Sequence, residues 1–190
     1  MADALASADV PDPSAVPAAL IADSAAVRPS TPLFVPDFAT EGWTLRLFPA
    51  VTIGRLGKSI APRFAPRYRS GWRMAARLMP LSSDPSDALQ AVCAAFDGAV
   101  ALGPELQEWP LGPFDVRLTH PSLEGGCADI RIDPADLHID ETIALASRFM
   151  TLKTGDLILP CHLPVEVAPT VGTRLTAESA SGTLLSLKLR

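Results

Sequence analysis

The stretch Asp140–Pro160, DETIALASRFMTLKTGDLILP, constrains the fold more than any other part of the chain. Asp140 is placed to N-cap a helix, with Glu141 favourably charged in the first turn. Ile139, Ile143, Ala146 and Met150 recur at helical spacing and form one apolar face. Lys153-Thr154-Gly155-Asp156 ends that period and turns the chain. Leu157-Ile158-Leu159 is then a short apolar run bounded by Pro160, the pattern of a buried strand. The expected order is helix, tight Gly-Asp turn, strand.

The rest of the chain has to fit around that unit. Its 190 residues suit one folded domain, with 48% hydrophobic and 19% charged residues. Nineteen prolines and twelve glycines argue for many short elements and against a helical bundle. The net charge of −5 favours solubility and does not single out a partner. Cys93, Cys127 and Cys161 are odd in number and lack a CxxC spacing, so reduced thiols in a cytoplasmic protein are expected. The first residues have no basic stretch before an apolar core, and no run reaches membrane-spanning length. Neither a signal peptide nor a membrane partner is expected.

In chain order, residues 1–16 are Ala, Asp, Ser and Pro, an expected flexible tail, and 17–190 form the domain. Leu33–Phe38 is strand-like, with Pro36 implying an edge or a strand end. Leu45–Ile53 alternates imperfectly and Pro49 interrupts it. Trp109 lies in a Pro/Gly-rich segment expected at the surface. Asp115–Thr119 and the residues around Ile130 read as a hairpin across Gly125-Gly126. Leu185, Leu187 and Leu189 alternate with polar residues as a half-buried last strand. Asp129, Asp133, Asp136, His138 and Asp140 crowd together, but their spacing matches no calcium loop and reads as strand, turn and helix start. Cys161 and His162 are adjacent, so on an extended chain they point apart and make a poor nucleophile–base pair.

No Asp or Glu occurs between Glu41 and Asp84, while Arg46, Arg55, Lys58, Arg63, Arg67, Arg69, Arg73 and Arg77 all do, half of the sixteen cations. Phe64, Tyr68 and Trp72 are interleaved among them. Such a segment is a candidate phosphate or RNA surface. Pro62, Pro66 and Gly71 argue against a continuous helix there, and arginine stems also serve simply to cover apolar surface.

Several motifs, taken in order, resemble the fumarylacetoacetate hydrolase family. The helix ending in SxFxTLxxGD is present as Ser147–Leu152 with Gly155-Asp156, but the TGTP loop that follows in the family reads Pro160-Cys161-His162-Leu163. Thr31–Phe38 and Ile53–Lys58 look like its small single-domain bacterial members, and Arg63-Phe64-Ala65 with Arg67-Tyr68 continues the likeness. Phe96-Asp97-Gly98 with Leu102-Gly103-Pro104 is similar to the family's FDG…LGP stretch, and Gly182-Thr183-Leu184 to its closing GTL. The resemblance implies a mainly β fold with short helices (α+β), a mixed sheet and β-roll, and a homodimer. It also implies Mg²⁺ or Mn²⁺ held by two glutamates in an ExE strand and by an aspartate, which polarise a keto-acid carbonyl.

The family's ExE falls on Arg46-Leu47-Phe48, its aspartate on Arg73 and its lysine on Ala94. Guanidinium groups cannot replace carboxylate ligands. The resemblance therefore implies a protein without the metal, without other cofactors and without catalytic residues, acting in binding or assembly. Arg46, Arg73, Arg77 and Asp97 are the candidate lining of an anion or ligand pocket. Arg46 or Arg73 is expected to turn to Asp97 or to solvent, and Phe48 to fill the metal position. Two alternatives stand beside this: a keto-acid hydrolase, lyase or isomerase with a relocated site, and phosphate or RNA binding through residues 46–77.

Overall fold

The computed structural model describes residues 23–39, 41–81, 96–160 and 165–190. The expected tail 1–16, Ala94, Cys93 and the Cys161-His162 pair lie outside the described residues. The fold is mainly β with short helices. It contains a six-stranded mixed sheet and a four-stranded antiparallel sheet.

The large sheet is built on one hairpin. β2 (Trp43–Ile53) and β3 (Arg69–Pro80) pair antiparallel along their whole length, from Trp43 opposite Pro80 to Ile53 opposite Arg69. β4 (Val100–Leu102) adds to β3, and β1 (Ala26–Val27) runs parallel to β4. Among the described residues the other edge of β2 is paired only near its ends, by β7 (Leu157–Ile158) at Val51–Thr52 and by β8 (Glu166–Val167) at Leu45–Arg46. Pro49, which sequence reasoning treats as an interruption, sits inside β2. It falls in the gap between those two short partners, where a missing N–H costs no ladder bond on that edge.

The small sheet runs β10-β9-β5-β6, from β5 (Phe114–Thr119), β6 (Cys127–Ile132), β9 (Arg174–Ser179) and β10 (Gly182–Lys188). The hairpin expected across Gly125-Gly126 is β5–β6, paired from Phe114 opposite Ile132 to Thr119 opposite Cys127. In β10 a bulge between Thr183 and Leu185 lets both Leu184 and Leu185 turn inward, beside Leu187 and Leu189. Leu33–Phe38 is not a strand. Leu33 makes a single bridge to Leu189, and Phe34 stands out at 63% exposure.

The core lies between the sheets. Leu45, Leu47, Val51 and Ile53 of β2, with Trp72, Met74, Ala76 and Leu78 of β3, meet Val116, Leu118, Ile132, Leu175 and Leu187. Period-2 alternation sends these residues to one face and Arg46, Phe48, Arg73 and Arg77 to the other. At Gly103 the chain crosses β10 so closely that an added Cβ would lie 1.9 Å from the Leu184 carbonyl oxygen, so only glycine fits. Trp109 is half-buried and not simply a surface residue. Its ring packs edge-on to Trp72 at 5.9 Å, and Trp72 Nε1 donates to the Glu108 carbonyl at 2.7 Å.

Helix α1 (Ile139–Phe149) and the turn into β7 follow the expected order, with two differences. The helix begins one residue before Asp140. His138 occupies the N-cap position in the left-handed region and makes no side-chain cap, so Asp140 sits in the first turn. There its carboxylate meets Arg69 at 3.5 Å, while burial raises its pKa. The buried face is Ile139, Ile143, Ala144, Leu145 and Ser147, and Met150 lies beyond the helix end, 40% exposed. Ser147 Oγ accepts from the Ile60 amide at 2.9 Å, tying the helix to the loop after β2. No helix among the described residues is long and apolar enough to cross a membrane.

His120 is fully buried, and its ring bridges Ser122 Oγ at 2.8 Å and Thr173 Oγ1 at 2.9 Å. Thr173 donates its own hydroxyl proton to the Thr170 carbonyl. The imidazole therefore donates from Nε2 to Thr173 and accepts at Nδ1 from Ser122. Burial lowers its pKa from the usual 6.5. The unfolded chain takes up a proton that the native imidazole resists, so this contribution is present above about 6.5 and lost as pH falls below it. The thermal midpoint should fall between about pH 7 and about pH 5.5. In His120→Gln the midpoint should be lower, and that part of the pH slope should be absent.

Candidate functional site

The second face of the large sheet carries the residues that the resemblance singles out. Across the β2–β3 ladder Arg46 stands opposite Arg77, Phe48 opposite Ala75 and Ala50 opposite Arg73. All three arginines thus lie on one face, and Phe48 is buried among their strands at 6% exposure. Ala25, Ala50, Ala75, Ala99 and Val100 form a small apolar cluster on the same sheet. The register also shows how positions 73 and 77 lie relative to 46 and 48. Position 77 is directly across from 46, and position 73, across from Ala50, is like 77 a diagonal neighbour of Phe48. Either position holds arginine.

The guanidinium groups have partners. β8 places Glu166 opposite Arg46, and Arg46 Nη2 and Nε reach Glu166 Oε1 at 2.6 and 2.7 Å. Arg73 Nη2 meets Glu105 Oε2 at 2.9 Å. Glu105 is delivered by a strap that lies along β3 through a Trp72–Leu106 bridge. Arg77 is engaged as well. Of the expected turn of Arg46 or Arg73 towards Asp97 or solvent, the Asp97 half is therefore corrected, while Arg46 does lie at the solvent-exposed surface in its pair with Glu166. Asp97 is exposed in the turn before β4, and among the described residues it pairs with neither arginine. Sequence reasoning missed Glu166 and Glu105 because both are remote in the chain from the acid-free interval. Only strand register brings them in.

A hard divalent cation does not fit this donor set. The carboxylates on the face are each neutralised by an arginine, and Phe48 offers no donor. Among the described residues no three His, Cys, Asp or Glu side chains gather to hold a metal ion.

The other sequence candidates are dispersed. Asp129 pairs with Arg117 through both oxygens at 2.8 Å, which lowers its pKa, and Asp115 pairs with Arg131 at 3.1 Å. Asp133 caps the 3-10 turn Pro134–Leu137 by accepting from the Ala135 amide. The acidic cluster is strand, turn and helix start. Phe64, Tyr68 and Trp72 do not share a face. The first two lie in the 3-10 turn Pro62–Tyr68, exposed and half-buried, and the third is buried in β3. Cys127 is an exposed free thiol.

No family model matches the chain, and no curated protein matches it. Solved structures do. The chain is similar to 5-carboxymethyl-2-hydroxymuconate delta-isomerase from Mycobacterium smegmatis, at 19% identity and TM-score 0.73, over 87% of this chain and 65% of that one. It is similar to fumarylpyruvate hydrolase from Pseudomonas aeruginosa, solved with Mn²⁺ and pyruvate, at 19% identity and TM-score 0.71, over 87% and 75%. Maleylpyruvate hydrolase from Sphingobium sp. SYK-6 matches at 17% identity and TM-score 0.70, over 87% and 62%. The chain thus spans about 65% of the length of the first of these. At such identities the likeness is one of fold. The chain has the mainly β architecture of these hydrolases and isomerases, as the resemblance to the fumarylacetoacetate hydrolase family implies.

The two ion pairs should differ in weight. Arg46 and Glu166 are 39% and 49% exposed, and Arg73 and Glu105 are 16% and 37% exposed. Glu166→Ala should cost under about 1 kcal/mol in chemical denaturation. Glu105→Ala leaves a more desolvated guanidinium and should cost about 1–3 kcal/mol.

Proposed function

We propose that this chain is a divergent relative of the fumarylacetoacetate hydrolase family that acts in binding or assembly and does not use the family's metal-dependent chemistry. One observation carries the reading: Arg46 and Arg77 face each other across the β2–β3 ladder, with Phe48 buried beside them. Where the resemblance calls for carboxylates, at 46, 48 and 73, this face has two arginines and a phenylalanine. The ligand suited to it is a small anion that competes with Glu166 or Glu105 for a guanidinium. A homodimer in the cytoplasm is the assembly and setting that go with this reading. Nucleic acid is disfavoured by the dispersal of Phe64, Tyr68 and Trp72.

The names of the structural neighbours favour a second reading. They are hydrolases and isomerases, and one was solved with pyruvate. A keto-acid enzyme on this scaffold would hold its substrate carboxylate with these arginines and would work without a divalent ion.

Calorimetric titration with Mn²⁺, with and without pyruvate, separates the readings. The first expects no one-to-one Mn²⁺ site tighter than about millimolar, since among the described residues Glu166 and Glu105 on this face are held by arginines and a lone Thr52 hydroxyl cannot replace carboxylate ligands. A stoichiometric Mn²⁺ site mapped to this face would overturn it. Metal-independent turnover of an acylpyruvate, abolished by Arg77→Met, would establish the second reading instead.

A further inference from the structure

Six exposed cations, Arg55, Lys58, Arg63, Arg67, Arg148 and Lys153, surround one corner of the molecule, and none forms an ion pair among the described residues. They are over a third of the sixteen cations in a chain whose net charge is −5. Hydrogen bonds hold the corner together. Gly57 and Leu152 exchange both backbone bonds, at 3.0 and 2.8 Å, and the Ser59 amide donates to the Ser147 carbonyl at 2.8 Å. In that antiparallel bridge Leu152 points inward, so Leu56, Lys58, Thr151 and Lys153 face out together, all exposed. The Pro62–Tyr68 turn packs on α1, which brings Arg63 and Arg67 to the same corner, their guanidiniums over the Phe64 ring at 4.8 and 5.1 Å.

Large apolar side chains stand out amid this charge. Leu56 is 69% and Phe149 70% exposed, with Met150 beside them. A side chain this far out of the surface lines no groove, so it does not form a cleft for a peptide. Leu56 and Met150 have no π-face for a nucleobase and the Phe64 ring already carries two guanidiniums, so among the described tips only Phe149 could stack, and one ring makes a poor platform for an RNA strand. Apolar tips within a ring of unpaired cations match a bilayer interface, where the tips enter the acyl boundary and the cations meet lipid phosphates.

We propose that this corner docks the protein on anionic phospholipid bilayers as a peripheral partner. The inference is independent of the reading of the sheet face, which lies elsewhere on the chain.

Vesicle co-sedimentation of the full chain tests it, with phosphatidylcholine alone and with phosphatidylcholine containing phosphatidylglycerol. Binding should require the anionic lipid and be lost at about 0.5 M salt, where screening is strong. Lys58→Glu with Lys153→Glu should weaken it at least about tenfold. Leu56→Ser with Phe149→Ser should weaken it at low salt with an unchanged thermal midpoint, because both side chains are exposed. Three results would each overturn the proposal. One is vesicle binding that ignores lipid charge or both double variants, and a second is absence of binding to anionic vesicles, whether or not the chain is retained on RNA. The third is a shift in oligomeric state caused by Phe149→Ser, which would mean that a second copy covers the corner.

Discussion

The β2–β3 ladder is the constraint on which the rest of the structure depends. Ten residues of β2, Trp43–Thr52, pair in unbroken register with β3 before a shift at Ile53, and alternation along both strands assigns their side chains to one of two faces. A slip of β2 by one residue would carry Leu45 and Leu47 out of the core and Arg46 into it, and a slip of β3 would do the same to Leu78 with Arg73 and Arg77. The register is therefore fixed by the cost of burying guanidinium groups as firmly as by the gain from burying leucines. β4, β7 and β8 then attach to a template whose faces are already decided. The small sheet closes over the apolar face, leaving a void of only about 10 Å³ between Leu47, Met74, Val116 and their neighbours.

The same alternation explains how an acid-free interval is neutralised. Between Glu41 and Asp84 the chain can supply no carboxylate to its own arginines, so each partner arrives from a distant segment. Glu166 reaches Arg46 because β8 pairs with β2, Glu105 reaches Arg73 because a strap pairs with Trp72, and Asp140 reaches Arg69 from the first turn of α1. These contacts are individually modest at partial exposure. What they determine is where the strap, β8 and α1 rest against the central hairpin. The cations of the Leu56 corner lack such partners, and that contrast separates arginines that organise the fold from those left facing outward.

Local patterns were legible in the sequence. The helix, Gly-Asp turn and short strand of residues 139–158 follow from periodicity and turn chemistry, and the β5–β6 hairpin from alternation across Gly125-Gly126. Pairings between remote segments were not. Pro49 reads as a break until β2 is seen to be paired, among the described residues, only at the ends of one edge. Trp109 reads as surface until Trp72 is placed beneath it, and Asp140 reads as a cap until His138 adopts φ 46° ahead of it. The arginines of the sheet face were identifiable, but Asp97, their neighbour by resemblance, proved the wrong acid. Strand register, which no local window contains, selected Glu166 and Glu105.

That selection also bears on how readily the face could be made to hold a metal. Carboxylates placed at 46 and 77 would not enter a neutral pocket. A glutamate at 46 would stand directly across the β2–β8 pair from Glu166, and a carboxylate near 73 would meet Glu105. Like charges at such spacing raise each other's pKa and resist joint ionisation unless a cation is already present. The opposite charges on β8 and the strap therefore act together with the arginines as one arrangement, and changing the central hairpin alone would leave it electrostatically inconsistent. The chemistry of this sheet face can vary without disturbing the ladder's apolar side, because alternation isolates the face from the core behind it.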